Sequence, residues 1–578
     1  MSFSVTLQNG HSLRVRDINL HAQVNRNEVK FVYQGLSNDP CSSGYVLAIT
    51  EFMFDHDAVL LGDGFQMSSQ TTGTMDNPED VGRHSEQSSL YRLYSPSLPK
   101  RYYNYLLVEE ASGYTLFGFT SCYRFAGYFE LVEVEHSHWV KICIDGEETH
   151  PQDWSSNQLE SVVILKGDSL AELYSEYAHF ISCHHTPKKG MKNNAPIGWC
   201  SWYAYWSDIS EKVVEDNLRQ LEGTLETLEY VMIDDGYQAF MGDWLVPSDS
   251  FPSGIKSLAE EIKRCGKKPA LWLAPFIVEE ESEVFRHHKD WLVTYSDGSL
   301  LKAEEVTYGG WRCTPWYILD ATNPDVQEHL TNVITTMRKD WGIELFKLDA
   351  LYWGALKGCR QQAGITGIEA YRLGMEAINE GADNSLILGC NAPMWPSLGM
   401  VDAMRVSDDV ERDEKRFIQI AREAFFRSWQ HRKLWQIDPD CATLISLHNA
   451  PLEQTHAEFH RNALLACGGL LMSGDPLPQL NHFAKSTLSR LFVRHKHNQN
   501  SARFSSLSLD HAYLRMNNKN DLHCLFNFQT CRQTVCLTST RAVDWYDYWS
   551  GKKLNMQPTD VFEVDVNPLS SKAILTKR

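Results

Sequence analysis

The chain has no surplus of basic residues: 54 Lys and Arg stand against 74 Asp and Glu, a formal net charge of −20. Nucleic-acid phosphates need clustered Lys and Arg to neutralise them, so nucleic acid is not an expected partner. An anionic membrane surface would be repelled for the same reason. No apolar run reaches the roughly 20 residues that a bilayer demands. The opening MSFSVTLQNGHSLRVRD lacks a basic-then-apolar segment and a small-residue cleavage site, so no secretory signal is expected. The 14 Cys are scattered, and Cys200, Cys390 and Cys467 lie inside apolar runs. Reduced, buried thiols of that kind point to a cytoplasmic protein. Internal repeats and low-complexity tracts are missing too.

Two kinds of chemistry also lack their residues. Among the 22 His, the pairs His184-His185 and His495-Lys496-His497 fall in polar connecting segments. No His-x-x-x-His sits on a helix opposite a carboxylate, so neither a metal nor another cofactor is expected. Cys390 has no His partner to activate it as a nucleophile, and reads as a packing or contact thiol.

What is present is a chain of 578 residues, 43% hydrophobic and 22% charged. That is too long for one core and ordinary for a globular protein. Aromatics are abundant at 17 Trp, 24 Tyr and 25 Phe, which suits sugar C–H faces but also any large core. Residues 1–185 carry short period-two runs such as Glu28-Val-Lys-Phe-Val-Tyr-Gln and Tyr114-Thr-Leu-Phe-Gly-Phe-Thr, which predict an N-terminal β-sandwich. Residues 190–495 alternate apolar strands with amphipathic helices, which implies a parallel sheet. Residues 500–578 return to short alternating runs and predict a small C-terminal β-domain of sandwich type.

Eight strand candidates fall in the middle region: 197–203, 229–234, 269–275, 343–349, 385–390, 402–407, 434–438 and 467–473. Eight strand–helix units predict a (β/α)8 barrel. A doubly wound sheet is the alternative, but it would put a Gly-rich phosphate turn after the first strand. Trp199-Cys-Ser-Trp-Tyr-Ala-Tyr is nothing like one.

Active sites of such barrels lie at the C-terminal strand ends, and these ends are acidic. Strand two closes with Asp234-Asp235-Gly236, strand four with Lys347-Leu348-Asp349 and strand six with Arg405-Val406-Ser407-Asp408-Asp409. Strands seven and eight close with Asp438-Pro439-Asp440 and Gly474-Asp475, while strand three places Trp272 at the rim. Taken singly, Asp-Gly can be a plain turn, Trp272 a core residue and Lys347–Asp349 a structural ion pair. Lys347 and Asp349 share side-chain parity and so one face, and a cation beside a carboxylate favours the charged form that a nucleophile needs. Two such tips suggest the paired carboxylates of a glycosidase.

These motifs, in this order, resemble glycoside hydrolase family 36, the α-galactosidases or melibiases, in a shorter-chain bacterial branch. The resemblance runs through Gly198-Trp-Cys-Ser-Trp-Tyr, Ile233-Asp-Asp-Gly-Tyr, Trp272-Leu-Ala-Pro-Phe and Leu319-Asp-Ala-Thr-Asn-Pro. It continues through Phe346-Lys-Leu-Asp, Leu388-Gly-Cys-Asn-Ala-Pro, Met404-Arg-Val-Ser-Asp-Asp and Asp438-Pro-Asp. It implies a retaining, exo-acting α-galactosidase without cofactor, acting on terminal α-galactosides of oligosaccharides. Asp349 would be the nucleophile and Asp409 the general acid/base, with Asp408 as runner-up. Asp234 and Asp235 would hold the 4- and 6-hydroxyls, Lys347 the 3- and 4-hydroxyls, and Arg405 and Cys390 would lie near the 2-hydroxyl. Trp199 and Trp272 would wall the sugar, and Phe65 in Gly64-Phe-Gln-Met is the candidate aromatic lent by the N-terminal domain. A homo-oligomer is compatible with this reading.

Three features depart from the family. Lys-Leu-Asp replaces Lys-Trp-Asp, Cys-Asn-Ala-Pro replaces Cys-Ser-Gly-Gly, and Ile437 stands where an Asn precedes Asp-Pro-Asp. Asn391 thereby leaves an N-acetylgalactosamine substrate open at C2. Three other readings stay alongside: an α-N-acetylgalactosaminidase, an α-galactosyl transglycosylase on the same scaffold, and a non-catalytic carbohydrate-binding protein.

Overall fold

A strand buried on both faces tends to lose the alternation of polar and apolar residues, and most of the eight middle-region strands do so. In the computed structural model they are β1 (Ile197–Cys200), β2 (Tyr230–Ile233), β3 (Lys268–Leu273), β4 (Leu345–Leu348), β5 (Leu386–Gly389), β6 (Ala403–Arg405), β7 (Gln436–Asp438) and β8 (Leu471–Ser473). Every residue of β1, β2 and β4 is buried. The strands form one sheet in the order β7-β6-β5-β4-β3-β2-β1-β8. Its ends meet where Leu470 N–H donates to the Ile437 carbonyl at 2.9 Å and Ala442 N–H to the Met472 carbonyl at 2.7 Å. The result is a nearly closed (β/α)8 barrel, with antiparallel sheets before and after it in the chain. The structure describes residues 3–35, 39–53, 55, 57–82, 100–134, 137–192, 194–221 and 225–577. Among them, no helix is long and apolar enough to cross a membrane.

The chain divides into two compact units, one of residues 1–190, 237–257 and 271–404, the other of 191–236, 258–270 and 405–578. The first unit opens with two antiparallel sheets, of six and eight strands. Phe117 from the larger and Phe129 from the smaller stack at 6.2 Å between centroids, so the sheets pack face to face through aromatics. The unit also carries α1 (Pro324–Thr336) and α2 (Gly367–Ala382). Asn323 caps α1 by accepting from Asp325 N–H, with Pro324 at the first turn. Gly342, at φ 76°, ends the turn that follows α1, where a residue with a Cβ would be strained. Thr366 and Glu369 form a reciprocal capping box on α2.

The second unit carries α3 (Glu414–Phe426), α4 (Gln454–Cys467) and a six-stranded antiparallel sheet between Arg503 and Lys577. Asp413 caps α3. The long strand Gln533–Asp547 pairs first with Thr559–Val566, then changes partner to Ser570–Lys577 after a register shift between Thr538 and Val543. This folds one sheet over a core of Leu525, Leu537, Val543, Trp545, Val564, Val566 and Ile574.

Candidate active site

Asp349 follows β4 in the first unit and is 7% exposed. Its backbone N–H continues the barrel ladder by donating to the Leu273 carbonyl at 2.9 Å. Three donors hold its carboxylate. Trp272 Nε1–H reaches Oδ2 at 3.1 Å, while Ala350 N–H at 2.7 Å and Asn391 Nδ2–H at 2.9 Å share Oδ1. Ala350 and Asn391 both adopt positive φ, 52° and 41°, which turns those donors back onto the acid. Hydrogen bonds to an ionised group are worth about 1.5–3 kcal/mol each, so the carboxylate is fixed in direction before any ligand arrives. Asn391, expected near C2 of a sugar, is spent at least partly on Asp349.

Around it, Trp272 leads a chain of edge-to-face indoles. It meets Trp244 at 5.9 Å and Trp311 at 6.2 Å; Trp311 meets Trp316 at 4.7 Å, and Trp316 meets Trp353 at 5.4 Å. Trp311 keeps part of its surface exposed whereas Trp272 is buried. Trp311 is thus the partly exposed indole among these rings, and no periodic pattern in the sequence marks it. Lys347, two residues before Asp349, and Cys390, whose N–H donates to the Leu348 carbonyl at 2.7 Å from the adjacent strand, are buried at 5% and 1% exposed. Phe65 docks through its backbone, its carbonyl accepting Met394 N–H at 2.8 Å, beyond the tip of β5. Its ring lies edge-on to Tyr103 at 5.9 Å and is buried.

In the second unit, the adjacent acids after β6 have opposite surroundings. Asp408 is buried and fully engaged: Oδ2 accepts from Arg416 Nη1–H at 2.5 Å and Gln419 Nε2–H at 3.2 Å, and Oδ1 from Asp409 N–H at 2.7 Å. Its own N–H donates to Glu423 Oε2 at 2.7 Å. Arg416, Gln419 and Glu423 lie three and four apart and so share one face of α3. Burial, then the neighbouring Asp408 charge, pushes the Glu423 carboxyl up to about 8.

Asp409 keeps 46% of its side chain exposed. Its Oδ1 accepts from Arg405 Nη2–H at 2.9 Å and lies 3.0 Å from the Tyr203 hydroxyl. Asp440 shares both neighbours: the Tyr203 hydroxyl is 2.5 Å from its Oδ2, and Arg405 pairs with it. Burial, reinforced by the charges of Asp409 and Asp438, raises Asp440 above the ordinary carboxylate range, against the pull of Arg405. Burial also holds the Tyr203 phenol well above its ordinary value, with Arg405 opposing, so Tyr203 is a donor with one proton for two acids. Arg405, expected near a 2-hydroxyl, donates from Nη2 to Asp409, Asp440 and the Asp408 carbonyl.

Asp234 and Asp235 follow β2 and are 2% and 1% exposed. Ser201 Oγ accepts Asp234 N–H at 2.9 Å, and Asp234 Oδ1 accepts Asp235 N–H at 2.9 Å, so the turn is pinned by its own side chains. Trp199 corrects an expectation. It has no exposed surface and its indole N–H donates to the Asp475 carbonyl at 2.9 Å, so it packs the barrel and offers no face to a sugar. Trp202 and Trp206 follow it; their rings meet at 5.2 Å, and Trp206 is 55% exposed.

The sheet topology defines a (β/α)8 barrel with acidic residues just past β2, β4 and β6. Residues 156–363, from the end of the N-terminal sheets through β4 and Asp349, match the Melibiase family. Alpha-galactosidase 2 of Pediococcus pentosaceus is 24% identical over 237 residues, 38% of this chain and 30% of that protein. Alpha-galactosidase AgaA of Geobacillus stearothermophilus is 31% identical over 148 residues, 24% of this chain and 20% of that protein. The chain thus spans under a third of the length of these curated relatives. Among solved structures, TtGalA, the alpha-galactosidase from Thermus thermophilus in complex with p-nitrophenyl α-D-galactopyranoside, aligns with 90% of this chain and 97% of its own at 20% identity, TM-score 0.65. The GH36 alpha-galactosidase AgaA from Geobacillus stearothermophilus aligns with 98% of this chain and 81% of its own at 14% identity, TM-score 0.65. At such identities the likeness establishes the fold.

Proposed function

We propose that the chain is a retaining, exo-acting α-galactosidase that removes terminal α-linked galactose from oligosaccharides. The observation that carries this reading is the contrast between Asp349, held on both oxygens by neutral N–H donors, and Asp409, open to solvent and tied to Arg405 and Tyr203. The first suits a nucleophile, the second a group that must exchange a proton with leaving group and water. The relatives add support: an AgaA variant has been captured with raffinose and TtGalA with stachyose, both galactosylated sugars.

In this mechanism Asp349 attacks the anomeric carbon through an oxocarbenium-like transition state while protonated Asp409 donates to the departing oxygen. Asp409 then draws a proton from water, which cleaves the galactosyl–Asp349 ester with net retention. The chemistry requires the two carboxyls roughly 5–5.5 Å apart. Asp408, with every acceptor occupied, is not assigned the acid/base role. Asp234 and Asp235 are assigned the 4- and 6-hydroxyls and Lys347 the 3- and 4-hydroxyls. Cys390 is assigned the neighbourhood of the 2-hydroxyl, and Arg405 the orientation of Asp409. Trp272 positions Asp349, and Phe65 braces the tip of β5 through its backbone. The scattered thiols, none in a disulfide among the described residues, support a reducing, cytoplasmic setting.

Hydrolysis of p-nitrophenyl α-galactoside with and without EDTA tests the reading. Metal-independent release of galactose supports it, silence favours a binding protein, and oligosaccharide products favour a transglycosylase. A panel adding the α-N-acetylgalactosaminide and the β-L-arabinopyranoside, the same ring without its hydroxymethyl group, fixes what C2 and C6 contribute.

A further inference from the structure

Away from the barrel tips, the second unit contains a cavity of about 440 Å³ between α4 and the C-terminal sheet. That volume falls in the range of small-molecule sites. Trp549, Phe562 and Leu554 supply its apolar wall, while Arg461, Asn462, Asp547, Ser571 and Lys572 supply polar groups. These are organised in advance. Trp549 Nε1–H donates to Asn462 Oδ1 at 2.6 Å, and Asn462 Nδ2–H donates to Ser571 Oγ at 2.9 Å. The Arg461 guanidinium stacks over Trp549 at 4.3 Å and over Phe483 at 4.9 Å. Its buried Nε–H has no acceptor among the described residues.

Charge identifies the class of ligand. The lining holds four carboxylates (Glu458, Asp547, Glu563, Asp565) and three cations (Arg461, Arg532, Lys572). Several are already matched: Arg532 pairs with Asp565, and Arg461 lies 3.7 Å from Glu458. With no excess of cations the cavity does not suit a phosphate, and two of its four acids, Glu458 and Asp565, already pair with arginines, which leaves an amine as the class the test must exclude. An indole edge and ring beside amide, hydroxyl and guanidinium groups suits a molecule with C–H faces and many hydroxyls.

We propose that this cavity is a second saccharide site, built for one neutral hexose unit and separate from the carboxylates assigned to catalysis. Saturation-transfer NMR on the full chain tests it, with methyl β-glucoside, methylphosphonate and ethylammonium as probes. The glucoside is not a substrate of the activity proposed above, so the result stands whether or not that activity is found. Expected is transfer to the glucoside that weakens about tenfold in Trp549→Ala, in line with the loss of one aromatic contact. The rim variant Leu554→Arg, at a residue 39% exposed, should block binding without touching the core, which covers the case in which Trp549→Ala does not fold. Transfer to the glucoside that survives Leu554→Arg, its absence in the unaltered protein, or Trp549-dependent transfer to methylphosphonate or ethylammonium would each overturn the proposal.

Discussion

Asp349 and Asp409 are both aspartates just past a barrel strand, yet their settings differ in almost every respect. Asp349 is 7% exposed and, among the described residues, its carboxylate accepts from an indole, a backbone amide and a carboxamide, all neutral N–H donors. Asp409 has 46% of its side chain exposed and sits on a shared guanidinium and phenol with a second, buried acid, Asp440. The lesson is that sequence position assigns the acids to strand tips, while the partners assign their work. A nucleophile must not move; an acid/base must trade protons with solvent and still keep its aim.

The largest effect expected from breaking that contrast is at Asp349. Asp349→Asn should abolish turnover of p-nitrophenyl α-galactoside, and azide should partly restore release of p-nitrophenol with formation of β-galactosyl azide. Asp409→Asn should lose about 10²–10⁴-fold on substrates with sugar leaving groups. Its loss should be smaller for p-nitrophenol, which departs without a proton, and Asp408→Asn should not show that dependence on leaving group. Next, Asn391→Ala removes one hydrogen bond from Asp349, the proposed nucleophile, and kcat should fall about ten- to a hundredfold. An unchanged kcat with a raised KM would instead put Asn391 on the substrate.

The smallest effect concerns stability. Glu423 is protonated in the fold up to about pH 8 but ionises near its ordinary value once unfolded. The folded state thus binds the extra proton between those values, so stability is greatest below the lower one and declines as pH rises toward 8. The decline should be on the order of a few kcal/mol at most, read as the urea midpoint across pH. Glu423→Gln should flatten it.

Much of this was legible in the chain. Each of the eight apolar runs became a barrel strand, because a parallel strand buried on both faces leaves a continuous hydrophobic run. What sequence could not supply were partnerships between distant residues. Tyr203 meets Asp440 across 237 positions and Asn391 meets Asp349 across 42, and neither pairing leaves a spacing to detect. The Trp311–Trp316 segment lies in a connection with no period, so its aromatics could not be placed. Trp199 was misjudged because a strand-tip indole and a core indole read alike until its N–H is seen on Asp475.

The central claim, that Asp349 is the atom donor to the anomeric carbon, can be tested directly by trapping. A slowly released fluorinated galactosyl fluoride should leave one galactosyl adduct on the intact protein, and peptide mapping by mass spectrometry should place it on Asp349. An adduct on Asp409, Asp234 or any other carboxylate would contradict the account.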